Sequence, residues 1–264
     1  MRHLSFVAVL GLSACLWGRG SARTALPDPL LVRADAVWDQ RDVHGLEEVE
    51  AAIAQHVKRR GEAPGNLWRL ARVRVAEGLR ADSEREALEK YAEGRALGMR
   101  CLDLSPGFRQ RRVDADLRQA LRFIEEVHVP CAAWATLGWA RWVHIMGGDA
   151  ASMDLDDLEG LARHVALVGE APERSVGLWA QALTHLARPA WAERDDAEAQ
   201  AMMERAVRVA PDERWRSLDL LVLVALPRDD SALVEQIRAR LGTEPRFPED
   251  RVATDRIRQL LDGQ

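Results

Sequence analysis

The feature that most constrains this chain is a helical period punctuated by prolines. Apolar residues recur three and four apart along Leu46, Val49, Ile53 and Val57. They do so again along Ala199, Met202, Met203, Ala206 and Val209, and along Leu233, Ile237 and Leu241. That spacing places one apolar stripe on each helix. Alternating runs of β-branched residues, which would mark half-buried strands, do not occur. Breaks fall at Gly61 and Pro64, Pro106 and Gly107, Pro130, Gly147 and Gly148, Ala171 and Pro172, Pro189, Pro211, Pro227, and Pro245 and Pro248. The pattern predicts an all-α chain of about a dozen helices, roughly 12 to 20 residues each, with short connections.

The helix ends repeat. Gly94, Gly98 and Cys101 precede Pro106; Gly160, His164 and Leu167 precede Pro172; Ala199, Met203 and Ala206 precede Pro211. Each set steps by four, three and five residues to its proline, and Ala52 and His56 before Pro64 follow suit with Arg59 as the misfit. Trp38, Trp68, Trp134 and Trp179 each stand near the start of the partner helix, and Trp134-x₂-Leu137-Gly138 gives the pattern Trp-x₂-Leu-Gly. Small residues at such steps let antiparallel helices approach closely, as in a tetratricopeptide repeat. The Trp-to-Pro distances are 26, 38, 38 and 32 residues, where a regular repeat has about 28. Insertions are therefore expected near 81–90, 147–156 and 188–195. The predicted fold is an all-α, tetratricopeptide-like helical-repeat solenoid, an α-α superhelix, over 31–264.

The N-terminus reads as an address. Met1-Arg2-His3 is a short basic start, and the apolar run from Leu4 to Leu12 is too short to span a bilayer. Leu12-Ser13-Ala14-Cys15 has the form of a lipobox. It predicts a lipoprotein signal peptide over 1–14, lipidation at Cys15, and a lipid-anchored linker over 15–30. The alternative is an ordinary signal peptide cleaved near Ala22. Leu16, rather than Asp, follows Cys15, which in a cell with two membranes favours the outer one. The expected location is thus the periplasmic side of the envelope, with the membrane touched only through the lipid. Later segments offer no span; the longest apolar candidate, Leu218 to Leu226, contains Asp219. Export exposes Cys101 and Cys131 to an oxidising compartment, which allows a disulfide. Their place inside helical patterns instead favours buried free thiols. The chain has 42 acidic and 37 basic residues, so no basic excess points to nucleic acid.

Several stretches resemble the TRAP-transporter T-component family. They are Ala34-x₃-Trp38-x₂-Arg41, Leu46-Glu47 and Leu67-Trp68-Arg69-Leu70-Ala71-Arg72, then Tyr91-x₂-Gly94-x₃-Gly98-x₂-Cys101-Leu102-x-Leu104-x-Pro106. Val129-Pro130-Cys131-Ala132-Ala133-Trp134 and Leu186-Ala187-Arg188-Pro189 continue the likeness, which covers roughly 34–241. Two features depart from it. Glu193-Arg194 stands where the family usually has two glycines, and Tyr91 is the single tyrosine. The resemblance implies a periplasmic, often lipid-anchored helical protein that oligomerises and docks with a solute-binding partner. It also implies a groove or pore for an apolar or organic-acid ligand.

In such repeats the first helices line the concave face. Counting each key Trp as position four points Ala132, Ala135, Trp139 and Trp142 inward, with Asn66, Arg69, Val73 and Ala76, and Gly177, Ala180, Thr184 and Ala187. The expected ligand or partner groove is therefore Trp139, Trp142, Arg69, Asn66 and Thr184, suited to an apolar carboxylate or a hydrophobic peptide. The competing expectation is that the two indoles pack an inserted helix at 107–127. Catalytic motifs are missing. The seven His residues form no His-x₃-His or His-Glu-x₂-His, His128-x₂-Cys131 is one isolated pair, and no nucleophile elbow or phosphate loop occurs. Asp154, Asp156, Asp157 and Glu159 lack the glycine and closing Glu of a calcium loop and read as a helix N-terminus. Asp229-Asp230-Ser231 reads as a helix cap, and Arg109, Arg111 and Arg112 as a solvated helix start. Neither enzyme activity, metal nor cofactor is expected. The function expected is an accessory component of a tripartite transporter, binding a solute-binding protein. The alternative is a protein-protein scaffold in cell-envelope assembly.

Overall fold

The computed structural model describes residues 28–263 apart from 189–194, 212, 243 and 246. The lipobox, Cys15 and most of the linker lie outside the described residues. Among those described, every regular element is helical, and thirteen α-helices pack against one another. They are α1 (Pro29–Asp39), α2 (Arg41–Arg60), α3 (Pro64–Arg80), α4 (Glu84–Leu102), α5 (Pro106–Asp114), α6 (Leu117–Ala120), α7 (Val129–Met146), α8 (Gly148–Val168), α9 (Ala171–Ala187), α10 (Asp196–Val209), α11 (Arg214–Leu220), α12 (Ser231–Arg240) and α13 (Pro248–Asp262).

The ends follow local chemistry. Proline occupies the first turn of α1, α3, α5, α7, α9 and α13, where its missing N–H is no loss. Asp28, Ser83, Asp116, Asp195 and Asp230 cap α1, α4, α6, α10 and α12 with side-chain oxygens. Gly61 and Gly147 end α2 and α7 at φ 76° and 57°, a region that favours glycine. α11 continues as a π-helical turn, Leu221–Ala225, before Pro227.

Close approach of small residues sets the packing order. Gly78 faces Tyr91 and Gly94 faces Val75, so α3 and α4 run antiparallel. A methyl group added at Gly98 would lie 2.6 Å from the Ala135 Cβ, and one at Gly138 would lie 2.8 Å from the Tyr91 carbonyl oxygen. α4 is thereby wedged between α3 and α7. α8 sits in the same way between α7 and α9, where a Cβ at Gly177 would come within 2.4 Å of the Ala166 nitrogen. The larger core runs from α3 to α13, and a smaller one joins α1, α2 and α3 through Ala34, Leu46, Val49, Ile53 and Val73.

Several expectations change here. The predicted inserted helix at 107–127 is instead α5, α6 and two 3-10 turns, because Ala115 leaves helical geometry and Asp116 starts a new cap. Of the stretches where insertions are expected, 84–90 belong to α4 and 148–156 to α8. Asp154, Asp156, Asp157 and Glu159 consequently lie inside α8 rather than at its start. The first described helix begins at Pro29. Cys101 and Cys131 are not free thiols; they form a disulfide joining α4 to α7. The His128 and Cys131 pair is thereby excluded as a metal site.

Alanine has the better helix propensity, so at an open position Gly→Ala would add about 0.5–1 kcal/mol. Gly98→Ala and Gly177→Ala are expected to do the opposite, lowering unfolding free energy by about 1–3 kcal/mol through overpacking. Urea titration followed by circular dichroism reads the sign, with Gly160→Ala in α8 as control, where the added Cβ would meet nothing nearer than 3.4 Å.

Candidate functional site

The central space of the molecule is enclosed by the N-terminal helices, α7, α11 and α13. Trp38 and Arg41 come from the α1–α2 corner, Arg72, Ala76 and Leu79 from α3, and Trp134 and Leu137 from α7. Trp215 comes from α11, and Phe247, Glu249 and Asp250 from the start of α13. Together they bound a cavity of about 350 Å³ that reaches the surface beside Asp39 and Pro172. A second chamber of about 270 Å³ lies beyond Trp215 and Glu249, against Tyr91, Arg141 and Asp219.

Guanidinium groups and indole rings alternate around this space. Arg41 lies between the rings of Trp38 at 4.1 Å and Phe247 at 3.4 Å. Arg72 lies over Trp38 at 3.9 Å and Trp68 at 4.9 Å. Arg141 faces Trp179 and Trp215, which meet edge to face at 5.1 Å, and Arg216 stacks on Trp215 at 4.5 Å. Such contacts hold desolvated cations beside apolar walls.

Buried carboxylates complete the frame. Glu249 accepts from Arg41 Nε and Nη2 at 2.8 and 2.6 Å and from Arg80 Nε and Nη2 at 3.1 and 2.7 Å. Burial pushes its pKa up, but the two guanidinium charges outweigh burial and hold it below the ordinary range. Asp219 accepts from Arg141 Nη1 at 3.0 Å and from the Trp179 indole at 2.9 Å. Asp250 takes the backbone N–H of Arg214 at 2.8 Å, capping α11 from across the chain. Burial, then the neighbouring Glu249 charge, push Asp250 up to about 7. Arg72 is drawn down to about 9, chiefly by burial, and its Nε–H has no acceptor among the described residues.

The five residues expected to form a groove do not converge. Asn66 is a structural clasp: its amide oxygen accepts from Ala63 N at 3.1 Å, and its amide nitrogen donates to Gly61 O at 2.8 Å. Arg69 pairs with Asp35 and donates to Gly65 O at 2.6 Å. Trp139 donates to Asp154 of α8 at 3.0 Å beneath Arg95, and Trp142 lies on the α4 face beside Ala96 and Met99. Thr184 donates to the Gln181 carbonyl inside α9. The competing expectation also changes, because these indoles pack α4 and α8 rather than the 107–127 segment.

The physical reason lies in α7. Its small face, Ala135 and Gly138, is taken by α4, so Trp134, Leu137 and Arg141 turn toward the central space. Sequence reasoning missed the α13 contribution of Phe247, Glu249 and Asp250 entirely. A usable signal was present: Trp68 and Arg72 fall four apart and share a helical face, and Trp38 and Arg41 fall three apart across the α1–α2 corner.

No family model and no curated protein matches the chain. Among the described residues, no group of three or more His, Cys, Asp or Glu is placed to hold a metal ion. No described helix is long and apolar enough to cross a membrane.

Glu249→Gln leaves Arg41 and Arg80 without a counter-charge, two-thirds or more shielded from water. It is expected to lower unfolding free energy by about 3–5 kcal/mol. Asp250→Asn keeps the acceptor for Arg214 N and should have the opposite sign. A raised folded-state pKa supports stability at low pH and withdraws it as pH rises through about 7. Thermal melts should therefore show Asp250→Asn gaining more over wild type at pH 8 than at pH 5.

Proposed function

We propose that this chain is a non-catalytic, exported binding protein of tetratricopeptide-like helical-repeat architecture. We further propose that it serves as the lipid-anchored accessory component of a tripartite, TRAP-type transporter. In this reading residues 1–14 direct export and Cys15 carries the acyl chains. The helical body then meets a solute-binding protein on the periplasmic side and holds an organic ligand in its central cavity.

The supporting observation is the cavity itself. At about 350 Å³ it has the size of a small-molecule site, which spans roughly 300–1,000 Å³. It has aromatic walls and a few buried polar groups, the composition such sites share. The repeat architecture is supported by the order of packing, in which α4 and α8 each wedge between the helix before and the first helix of the next pair. The small-residue steps at Gly94, Gly98 and Cys101 are buried on α4, and those at Ala199, Met203 and Ala206 on α10, which packs on α9. No family model matches, so the transporter assignment rests on the motifs quoted above and on the export signature.

One feature favours a second reading, a scaffold in envelope assembly. Ala92 and Ala96 are exposed beside half-buried Met99 and Trp142, forming an outward apolar strip on α4 and α7. Such a strip suits a protein contact rather than a solute.

A tagged chain recovered from native envelope separates the two. The transporter reading expects a solute-binding protein in the eluate by mass spectrometry, together with a small organic molecule. Recovery of envelope-assembly proteins alone, with no ligand, would replace it with the scaffold reading. Separately, Cys15→Ser should move the protein from the membrane pellet to the soluble fraction. Wild-type protein without acyl chains by mass spectrometry would end the lipid-anchor assignment.

A further inference from the structure

Two charged groups that line the central cavity are incompletely matched, and their deficits are complementary. Glu249 is met by Arg41 and Arg80, and Glu213 by Arg216. Asp35 in turn serves both Arg69 and Arg72, so Arg72, like Arg41, shares its carboxylate with a second guanidinium group. Unlike Arg41, Arg72 also keeps a buried Nε–H with no acceptor among the described residues, which makes it the less satisfied of the two guanidinium groups lining this cavity. Asp250 has the opposite deficit. It is 4% exposed, accepts one backbone N–H, and has no ion-pair partner among the described residues. Both residues line the same cavity.

A lone organic acid would answer Arg72 but place its charge in the cavity that holds Asp250. A lone amine would answer Asp250 and sit among Arg41 and Arg72. One molecule with both charges answers both deficits, and the cavity walls specify the rest of it. Trp38, Trp134, Trp215 and Phe247 offer flat apolar surface, with Leu137 behind them.

We infer that the central cavity binds a zwitterionic amino acid with an aromatic or large apolar side chain, its carboxylate accepting from Arg72 and its ammonium facing Asp250. This rests on the reading of the cavity as an organic-ligand site and names the ligand class. Asp250 then has two roles: it caps α11 through the Arg214 N–H and supplies the counter-charge. The groups facing it are Glu249 on its own helix, Glu213 just before α11, Arg214 of α11, and Arg41 of α2. Binding of an ammonium favours the ionised carboxylate, so affinity falls as pH drops from 8 to 6.

The test is equilibrium binding to the full-length protein at pH 8 with four probes. These are L-phenylalanine, L-leucine, 3-phenylpropionate, which lacks the ammonium, and phenethylamine, which lacks the carboxylate. The expected result is that at least one of the amino acids binds, and that L-phenylalanine exceeds each of its single-charge analogues by tenfold or more. Arg72→Met should weaken L-phenylalanine at least tenfold, while Arg69 keeps Asp35 paired. Asp250→Asn, which preserves the α11 cap, should erase the preference for L-phenylalanine over 3-phenylpropionate and flatten the pH dependence. If 3-phenylpropionate binds as well as L-phenylalanine and Asp250→Asn changes nothing, the zwitterion proposal is overturned and the organic-ligand reading survives. Phenethylamine binding tightest also overturns it, in favour of a cation site. Failure of all four probes overturns both the proposal and the ligand role of the cavity, while the partner recovery above still judges the transporter assignment.

Discussion

One carboxylate holds the ends of the described structure together. Glu249 accepts four hydrogen bonds from Arg41 and Arg80, residues 208 and 169 positions earlier in the chain. Without that clamp, α13 would have only its contacts with α11 and α3 to keep it over the central space. The clamp also fixes Phe247 against the Arg41 guanidinium and brings Asp250 to the start of α11. The cavity exists because these bonds place its last wall. Buried charge of this kind contributes little net stability relative to an apolar substitute, yet removing one partner is severe. Its use here is to specify position.

The helices and their order were legible because they depend on local chemistry. The prolines, caps and glycines that end helices act within a few residues, so Pro64, Pro106, Pro172 and Asp230 could be read directly. The small-residue steps on α4 and α10 were legible for the same reason: a missing side chain is visible in sequence. The direction in which each helix turns was not. Counting from Trp134 placed Trp139 and Trp142 inward, but the face that α4 occupies is decided by Gly98 meeting Ala135 and Gly138 meeting Tyr91, a long-range fit. The pairing of Cys101 with Cys131 was obscured similarly, since each cysteine also passes for a small core residue.

The site was less legible than the fold because α13 completes it. Asp250 reads in sequence as one of several acids in a first helical turn, a common and unremarkable position. Only its burial beside Glu249 and against Arg214 gives it an unusual carboxyl. The guanidinium and indole pairs were closer to the surface of the sequence. Trp68 and Arg72 are neighbours on one helix, Trp38 and Arg41 flank the α1–α2 corner, and the fold stacks those pairs into one wall.

The trans-capping of α11 has a temporal side. A helix normally carries its N-terminal acceptor within itself or one residue before it, so it can form as soon as it is made. α11 takes its acceptor from Asp250, 36 positions later in the chain. During synthesis α11 therefore emerges before the group that finishes its first turn. The part of the molecule around Trp215 stays unfinished until α13 arrives, whereas the small-residue contacts that pack α3, α4 and α7 on one another are made within residues 64–146. The central chamber is thus assembled last, on a frame that is already standing.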